Sequence, residues 1–274
     1  MTEYTRDFFI ANRELLPAEH FTEYFSPGLH YVYEVFRVID GIPLFIEDHL
    51  ERFFHTSRLA GVDVACNNES LLSDIKGMIS ANNGGVGNIK ISIVPGKAGK
   101  QNLLIYFTPH QYPTPEQFEQ GVSVKLLFAE RNNPNAKVMD VSLRAATDQI
   151  KQNDEVYEIL LVDRQGFITE GSRSNVFFIR GDEVITPPVE TVLPGVTRKH
   201  VIRICHENGI PVSEQPVHSE SLSLFDALFI SGTSRKVLPV NKVDERDYKV
   251  NNDLMIRISD LFNLHVEQYI SLHR

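Results

Sequence analysis

Thr169-Glu170-Gly171-Ser172-Arg173-Ser174-Asn175-Val176-Phe177 sets one carboxylate and a run of small polar residues between two apolar stretches. Before it, Val156 to Val162 is almost wholly apolar, Asp163-Arg164-Gln165-Gly166 has the composition of a turn, and Phe167-Ile168 resumes extended chain. After it, Asn175 to Ile179 reads as the next strand. A glutamate held in a glycine-containing bend between strands can aim its charge at a ligand instead of at water. The plainer alternative is a polar hairpin with Glu170 solvated.

Working outward, Tyr31 to Ile39, the Asp40-Gly41 pair and Ile42 to Ile46 predict a hairpin closed by a two-residue turn. Asp48 with Glu51 three residues on predicts a capping box opening a helix with Leu50, Phe53, Phe54 and Leu59 on its apolar side. A helix near Glu69 to Ser80 and strands Ile89 to Val94 and Leu103 to Phe107 follow. His110 to Gln120, with two prolines and no strand or helix period, reads as a linker. The expected division is an N-terminal α/β domain over 1–112, a linker over 113–121 and a second domain over 122–274. In the second, Val122 to Phe128 is a strand and Ser142 to Gln152 a helix with Leu143, Ala146 and Ile150 on one side. A further helix starts at Thr197 and stops at Asn208-Gly209, Ala227 to Ser231 is a buried strand, and Asp253 to Leu272 a closing helix. The fold class is α+β.

The chain of 274 residues is 42% hydrophobic and 23% charged, which fits a folded protein with room for two domains. A formal charge of -9 without a basic cluster argues against nucleic acid and an anionic membrane as partners, since both reward concentrated positive charge. The start Met1 to Asp7 lacks a basic or apolar leader and no run of about 18 apolar residues occurs, so the expected location is cytoplasmic. Two cysteines, Cys66 and Cys205, make no disulfide framework, and no pair of the ten histidines has zinc-type spacing, so no metal is expected.

Lys137, between Ala136 and Val138, stands in an apolar setting that would lower its pKa and make the amine a nucleophile; the alternative is a solvated loop lysine. Three places could hold a phosphate. Leu193-Pro194-Gly195-Val196-Thr197-Arg198 leads a glycine bend into a helix, whose first N–H groups favour an anion. Ser231-Gly232-Thr233-Ser234 follows a buried strand, and Arg52 offers a charge-assisted donor. Each has a bland counterpart: a helix cap, a polar turn, a surface arginine.

Together these residues resemble fold-type IV pyridoxal phosphate enzymes, the class IV aminotransferase family that includes branched-chain and D-amino acid aminotransferases and aminodeoxychorismate lyase. The resemblance rests on a lysine 33 residues ahead of the glutamate in Thr-Glu-Gly-Ser-Arg-Ser-Asn-Val-Phe, on Gly195-Val196-Thr197-Arg198, on Thr233 to Val240, on His49-Leu50-Glu51-Arg52 and on Val32-Tyr33-Glu34, all in the family's order. It implies a two-domain architecture with a smaller N-terminal α/β domain and a larger C-terminal domain with a β-barrel-like core. It also implies that pyridoxal 5'-phosphate is joined to Lys137, which moves protons at the substrate carbon, and that Glu170 faces the ring nitrogen. Arg52, Gly195, Val196, Thr197, Gly232 and Thr233 would hold the cofactor, and Tyr33, His30 and Arg37 would line the substrate side. A homodimer, with the site between domains and completed by the second subunit, is implied too.

Departures fall on the substrate side. Pro95 stands where the D-amino acid enzymes place a carboxylate-binding arginine, Leu29-His30 replaces smaller residues, and neither Glu34 nor Val35 supplies the hydroxyl found in the lyases. Arg37, Lys90, Arg144 and Arg235 are the candidate receptors for a carboxylate. The expected activity is amino-group transfer between a small amino acid and a 2-oxo acid. The alternatives are a lyase releasing pyruvate from 4-amino-4-deoxychorismate, and a non-catalytic protein that keeps the fold.

Overall fold

The computed structural model describes residues 3–26, 31–96 and 100–274. Its contacts divide into two compact units, one of residues 1–111, 136–141 and 268–274, the other of 112–135 and 142–267.

The first unit is built on a six-stranded sheet ordered β2-β1-β6-β5-β3-β4, from β1 (Phe8–Ala11), β2 (Glu14–Pro17), β3 (Val32–Ile39), β4 (Ile42–Pro43), β5 (Gly87–Pro95) and β6 (Gln101–Thr108), with a short α1 (Phe21–Tyr24). Two helices, α2 (Ile46–Leu59) and α3 (Asn68–Ala81), cover one face. Period-two alternation explains the division of side chains. Ile89, Ile91 and Ile93 of β5 meet Phe36, Leu50, Phe53 and Ile75 on the helix side, while Val94 joins Phe9, Phe21, Tyr31 and Tyr106 on the other. Both faces are buried, although β5 alternates in sequence: Ile89, Ile91 and Ile93 face the helices, and the buried polar residues Asn88, Lys90 and Ser92 alternate with them. Each large side chain so buried contributes about 1.5–3 kcal/mol.

The predicted strand Ile42 to Ile46 stops at Pro43, and the helix starts at Ile46 without the Asp48–Glu51 capping box. Phe45 takes the N-cap position in the left-handed region (φ 51°), and its own side chain makes no capping bond. The Ile46 N–H instead donates to the Tyr269 hydroxyl at 3.2 Å, a cap supplied across 223 residues that local spacing could not announce. The α3 helix does carry a capping box, from Asn67 to Ser70.

The second unit holds a ten-stranded, curled sheet ordered β12-β11-β10-β14-β15-β7-β8-β9-β13, with β16 on β15. Its strands are β7 (Val122–Phe128), β8 (Glu158–Val162), β9 (Phe167–Gly171), β10 (Asn175–Arg180), β11 (Glu183–Thr186), β12 (Val212–Glu214), β13 (Val217–His218), β14 (Ala227–Gly232), β15 (Lys236–Val243) and β16 (Arg246–Asp247). Val124, Leu160, Val176, Phe178, Leu228 and Val240 fill one side. The helices are α4 (Pro115–Gln120), α5 (Val141–Asn153), α6 (Val196–Glu207) and α7 (Asp253–Leu272). The stretch expected to be a structureless linker therefore contains α4, because Thr114 and Gln117 form a capping box and Pro115 opens the first turn. On α5 the one buried residue is Thr147, not the expected Leu143, Ala146 and Ile150. Among the described residues no helix is long and apolar enough to cross a membrane.

Candidate active site

In the first unit, β3 alternates as its sequence predicts: Val32, Glu34, Phe36 and Val38 are buried, and Tyr33, Val35 and Arg37 lie half-buried on the opposite face. Glu34 is 0% exposed, so its charge must be met inside the protein. One oxygen accepts from Arg52 Nε at 2.8 Å, and the other from Arg52 Nη2 at 2.6 Å, the Val35 N–H at 2.7 Å and His49 Nδ1 at 3.0 Å. His49 and Arg52 reach the same carboxylate because three residues apart on α2 is one helical face. Burial alone would push the Glu34 carboxyl up, yet Arg52 and then His49 hold it well below the ordinary carboxylate range. Burial also pushes His49 down. Arg52 is therefore no surface arginine; it is 7% exposed and bidentate to Glu34.

Lys137 is fixed to this same frame by backbone bonds. Its carbonyl accepts from the Tyr33 N–H at 3.1 Å, and Val138 bridges Val32. Its own N–H donates to Thr56 Oγ1 of α2 at 3.3 Å. The Lys137 ammonium stands 5.0 Å from the centre of the Tyr33 ring. Lys90, buried on β5, lies 5.4 Å from that ring and donates to the Tyr31 hydroxyl at 2.7 Å. Tyr33 thus lies within reach of two lysines, in surroundings suited to an anion. Arg37 has a buried Nε on the same strand. His30 lies outside the described residues.

In the second unit Glu170 is the penultimate residue of β9 and is 3% exposed, which excludes the solvated-hairpin alternative. One carboxylate oxygen accepts from Arg131 Nη1 at 3.1 Å and the other from the Leu193 N–H at 3.1 Å. Asn175, at the far end of the same bend, donates to the Leu193 carbonyl at 2.9 Å. Asn135 holds the carbonyls of Val189 and Val192 at 2.7 and 2.8 Å. The quoted sequence stretch therefore grips the segment that leads into α6. A side chain at Gly195 would clash, its Cβ falling 2.0 Å from Asn175 Oδ1, so the approach is as close as glycine permits.

Gly195 is the N-cap of α6 and brings no side chain of its own to cap it. Val196 and Thr197, both buried, open the first turn, where N–H groups have no intrahelical acceptor. Between β10 and β14, Asn175 pairs in register with Ser231, whose buried Oγ has no hydrogen-bond partner among the described residues. Gly232 ends β14, and Thr233 begins the turn into β15. Within this unit, a helix start with a glycine N-cap, a buried hydroxyl and a paired carboxylate are the kinds of group suited to a phosphate and to a basic ring nitrogen; within the first unit, the anchored Lys137 amine is a group suited to an aldehyde.

Of the carboxylate receptors considered, Arg235 is committed to a buried glutamate, Glu158, at 3.1 Å, and Arg144 is half-buried on α5. Sequence reasoning passes over Arg131, Asn135 and Thr56. Arg131 and Asn135 read as part of a polar loop, and the only signal is their position within six residues of Lys137.

The sequence model of the family described as Amino-transferase class IV matches residues 31–243. The D-alanine aminotransferase of Bacillus licheniformis is 30% identical over 224 residues, covering 78% of each chain. Among solved structures, the branched-chain amino acid aminotransferase of Escherichia coli superposes with a TM-score of 0.86 at 24% identity, over 96% of this chain and 95% of that one. A branched-chain amino acid aminotransferase from T.th., solved with pyridoxamine 5'-phosphate, gives 0.85 at 22% identity, over 97% and 96%. These two likenesses are of fold.

Proposed function

The chain belongs to the class IV aminotransferase family, and from that premise we propose that it moves an amino group between a small amino acid and a 2-oxo acid with pyridoxal 5'-phosphate as cofactor. The observation that carries this is the pair of anchored groups: an amine held by β3 and α2, and a buried carboxylate held by Arg131 and the Leu193 N–H. When bound, the cofactor supplies a ring that accepts the electron pair released at the substrate's α carbon.

Everything else is the work of side chains already fixed. The Lys137 amine holds the cofactor and carries a proton to and from the substrate carbon, a task for which its backbone bonds fix the direction of approach. Glu170 presents an anionic oxygen to the ring nitrogen and so favours a protonated ring. The N–H groups of Val196 and Thr197, with Gly195, Gly232, Thr233 and Arg52, take the phosphate. Tyr33 and Arg37 line the substrate side with His30, and Lys90 is a buried cation close to Tyr33 for a substrate carboxylate. The family likeness supports a homodimer as the assembly, which light scattering after gel filtration reads directly.

The test is the visible absorption of the purified protein with pyridoxal 5'-phosphate, recorded before and after single amino acids and 4-amino-4-deoxychorismate. A transferase gives a half-reaction with one amino acid alone, changing the cofactor's band without an acceptor. A lyase releases pyruvate and consumes no acceptor. A protein that stays colourless overturns the proposal, and Lys137→Ala is expected to lose the band and the activity together.

A further inference from the structure

Glu158, on β8, is 0% exposed and is hydrogen-bonded to the bend that follows Glu170. Its Oε1 accepts from Ser172 Oγ at 2.5 Å and from the Ile159 N–H at 2.9 Å, with Lys151 Nζ of α5 at 3.9 Å. Its Oε2 accepts from Ser174 Oγ at 3.1 Å and lies 3.1 Å from Arg235 Nη2. Arg235 in turn donates from Nη1 to the Arg173 carbonyl at 3.1 Å, and its guanidinium carbon is 5.4 Å from the centre of the Tyr157 ring. Gly171 closes over the carboxylate: a Cβ there would sit 3.2 Å from Glu158 Cγ and 2.0 Å from Ser174 Oγ. Burial alone would push the Glu158 carboxyl up, but Arg235, then Lys151, then the Ser172 hydroxyl draw it below the ordinary range, so it is ionised at neutral pH.

The position of these partners gives the arrangement its meaning. Ser172 and Ser174 belong to the bend two and four residues past Glu170, whereas Arg235 belongs to the turn two residues past Thr233. We infer that Glu158 is a positioning residue, tying the turn that presents a carboxylate to one end of the cofactor to the turn that presents a hydroxyl to the other. The inference rests on the reading above, since it assigns to Glu170 and Thr233 the contacts proposed there. With one carboxylate hydrogen-bonded to the first turn and ion-paired with the second, neither can shift without stretching one of these contacts, and the distance between ring and phosphate receptors is set before ligand arrives.

Three variants of the full chain test it, each measured as cofactor-free and reloaded protein: Glu158→Gln, Arg235→Met and Arg235→Lys. Glu158→Gln and Arg235→Met are each expected to weaken pyridoxal 5'-phosphate about tenfold or more in a fluorescence titration, the size typical of lost outer contacts around a bound group. Both are expected to move the midpoint of the pH-dependent visible band, because Glu170 changes its place at the ring. Arg235→Lys, which keeps the charge, recovers part of both. A purely structural role moves neither the midpoint nor the ligand affinity once the protein is folded, as near-ultraviolet circular dichroism reports. Should Glu158→Gln fail to fold, Arg235→Met decides, since Ser172, Ser174 and Lys151 still hold the carboxylate. A wild-type protein that binds cofactor, with Arg235→Met binding it equally and titrating identically, overturns the inference alone. A wild-type protein that takes up no cofactor overturns the proposed function, and the inference with it.

Discussion

Glu34 on β3 and Glu158 on β8 are both wholly buried carboxylates that curl back to accept the N–H of the next residue, yet they are compensated differently. Glu34 takes its counter-charge from one helix, where His49 and Arg52 stand a single turn apart. Glu158 collects its partners from α5, from the bend between β9 and β10 and from the turn between β14 and β15. The first is concentrated, with one bidentate arginine carrying most of the compensation. The second is distributed, and loses only a share when any one partner goes. Concentration makes a site readable from spacing but exposed to a single substitution; distribution hides it from the sequence and makes it robust.

The largest effect should follow from attacking the concentrated site. Arg52→Met leaves Glu34 buried opposite His49 alone, and breaking a buried pair from one side costs about 3–5 kcal/mol. Arg235→Met leaves Glu158 with Lys151, two hydroxyls and an N–H, for an expected loss of about 1–3 kcal/mol. Urea unfolding of the cofactor-free proteins compares them, and equal losses would abolish the contrast. Removing the charge as well, in Glu34→Gln with Arg52→Met, is expected to recover part of the first loss, because the penalty lies in the orphaned carboxylate.

The same contrast explains what the sequence can disclose. The strands β3, β5 to β10 and β14, the helices α3, α5, α6 and α7, and the two faces of β3 follow from local periodicity and turn chemistry, and the structure has them; the strands β1, β2, β11 to β13, β15 and β16 are not read from the sequence. His49-x-x-Arg52 is picked out as a unit by the family resemblance, and the helical face its members share explains why they meet, although the residue they hold, Glu34, is visible only once β3 and α2 pack. The start of α2 is misjudged from local spacing because its first N–H is capped by Tyr269, near the other end of the chain. Glu158 reads as part of an apolar strand, and Arg235 as a stray candidate for substrate, since no spacing links residues 77 positions apart. Arg131 escapes for the same reason, its partner Glu170 being 39 residues on.

A smaller effect separates two glycines. Gly171→Ala drives a methyl against Ser174 Oγ, above Glu158, and overpacking of this kind costs about 1–3 kcal/mol. Gly77, inside α3, has nothing within 4 Å of a built Cβ, so Gly77→Ala is expected to stabilise by about 0.4–1 kcal/mol through helix propensity and a less flexible unfolded chain. Pairing Gly171→Ala with Ser174→Gly removes the obstructing hydroxyl and should return part of the loss. If it returns none, the bend is held by something other than the packing over Glu158.

The smallest effect is one of pH, and it tests whether burial governs a site that has no carboxylate at its centre. His265 of α7 stands 3.0 Å from His200 Nδ1 and 2.8 Å from Arg203 Nη2 of α6. Burial first, then His200 and Arg203, push it down to about 4 from its ordinary 6.5, with Glu207 opposing. A histidine depressed in the folded state takes its proton first in the unfolded chain, so its contribution favours unfolding progressively as pH falls from 6.5 to about 4 and is level below that. Glu34 and Glu158, depressed carboxylates, act in a lower window: their stabilisation is complete above the ordinary carboxylate value of 4.5 and drains away as pH drops beneath it. Melting temperature against pH should therefore decline in two stages, and His265→Asn should shrink the upper stage to the share that the depressed His49 contributes while leaving the acid limb in place. An unchanged upper stage in that variant would assign the proton to another group.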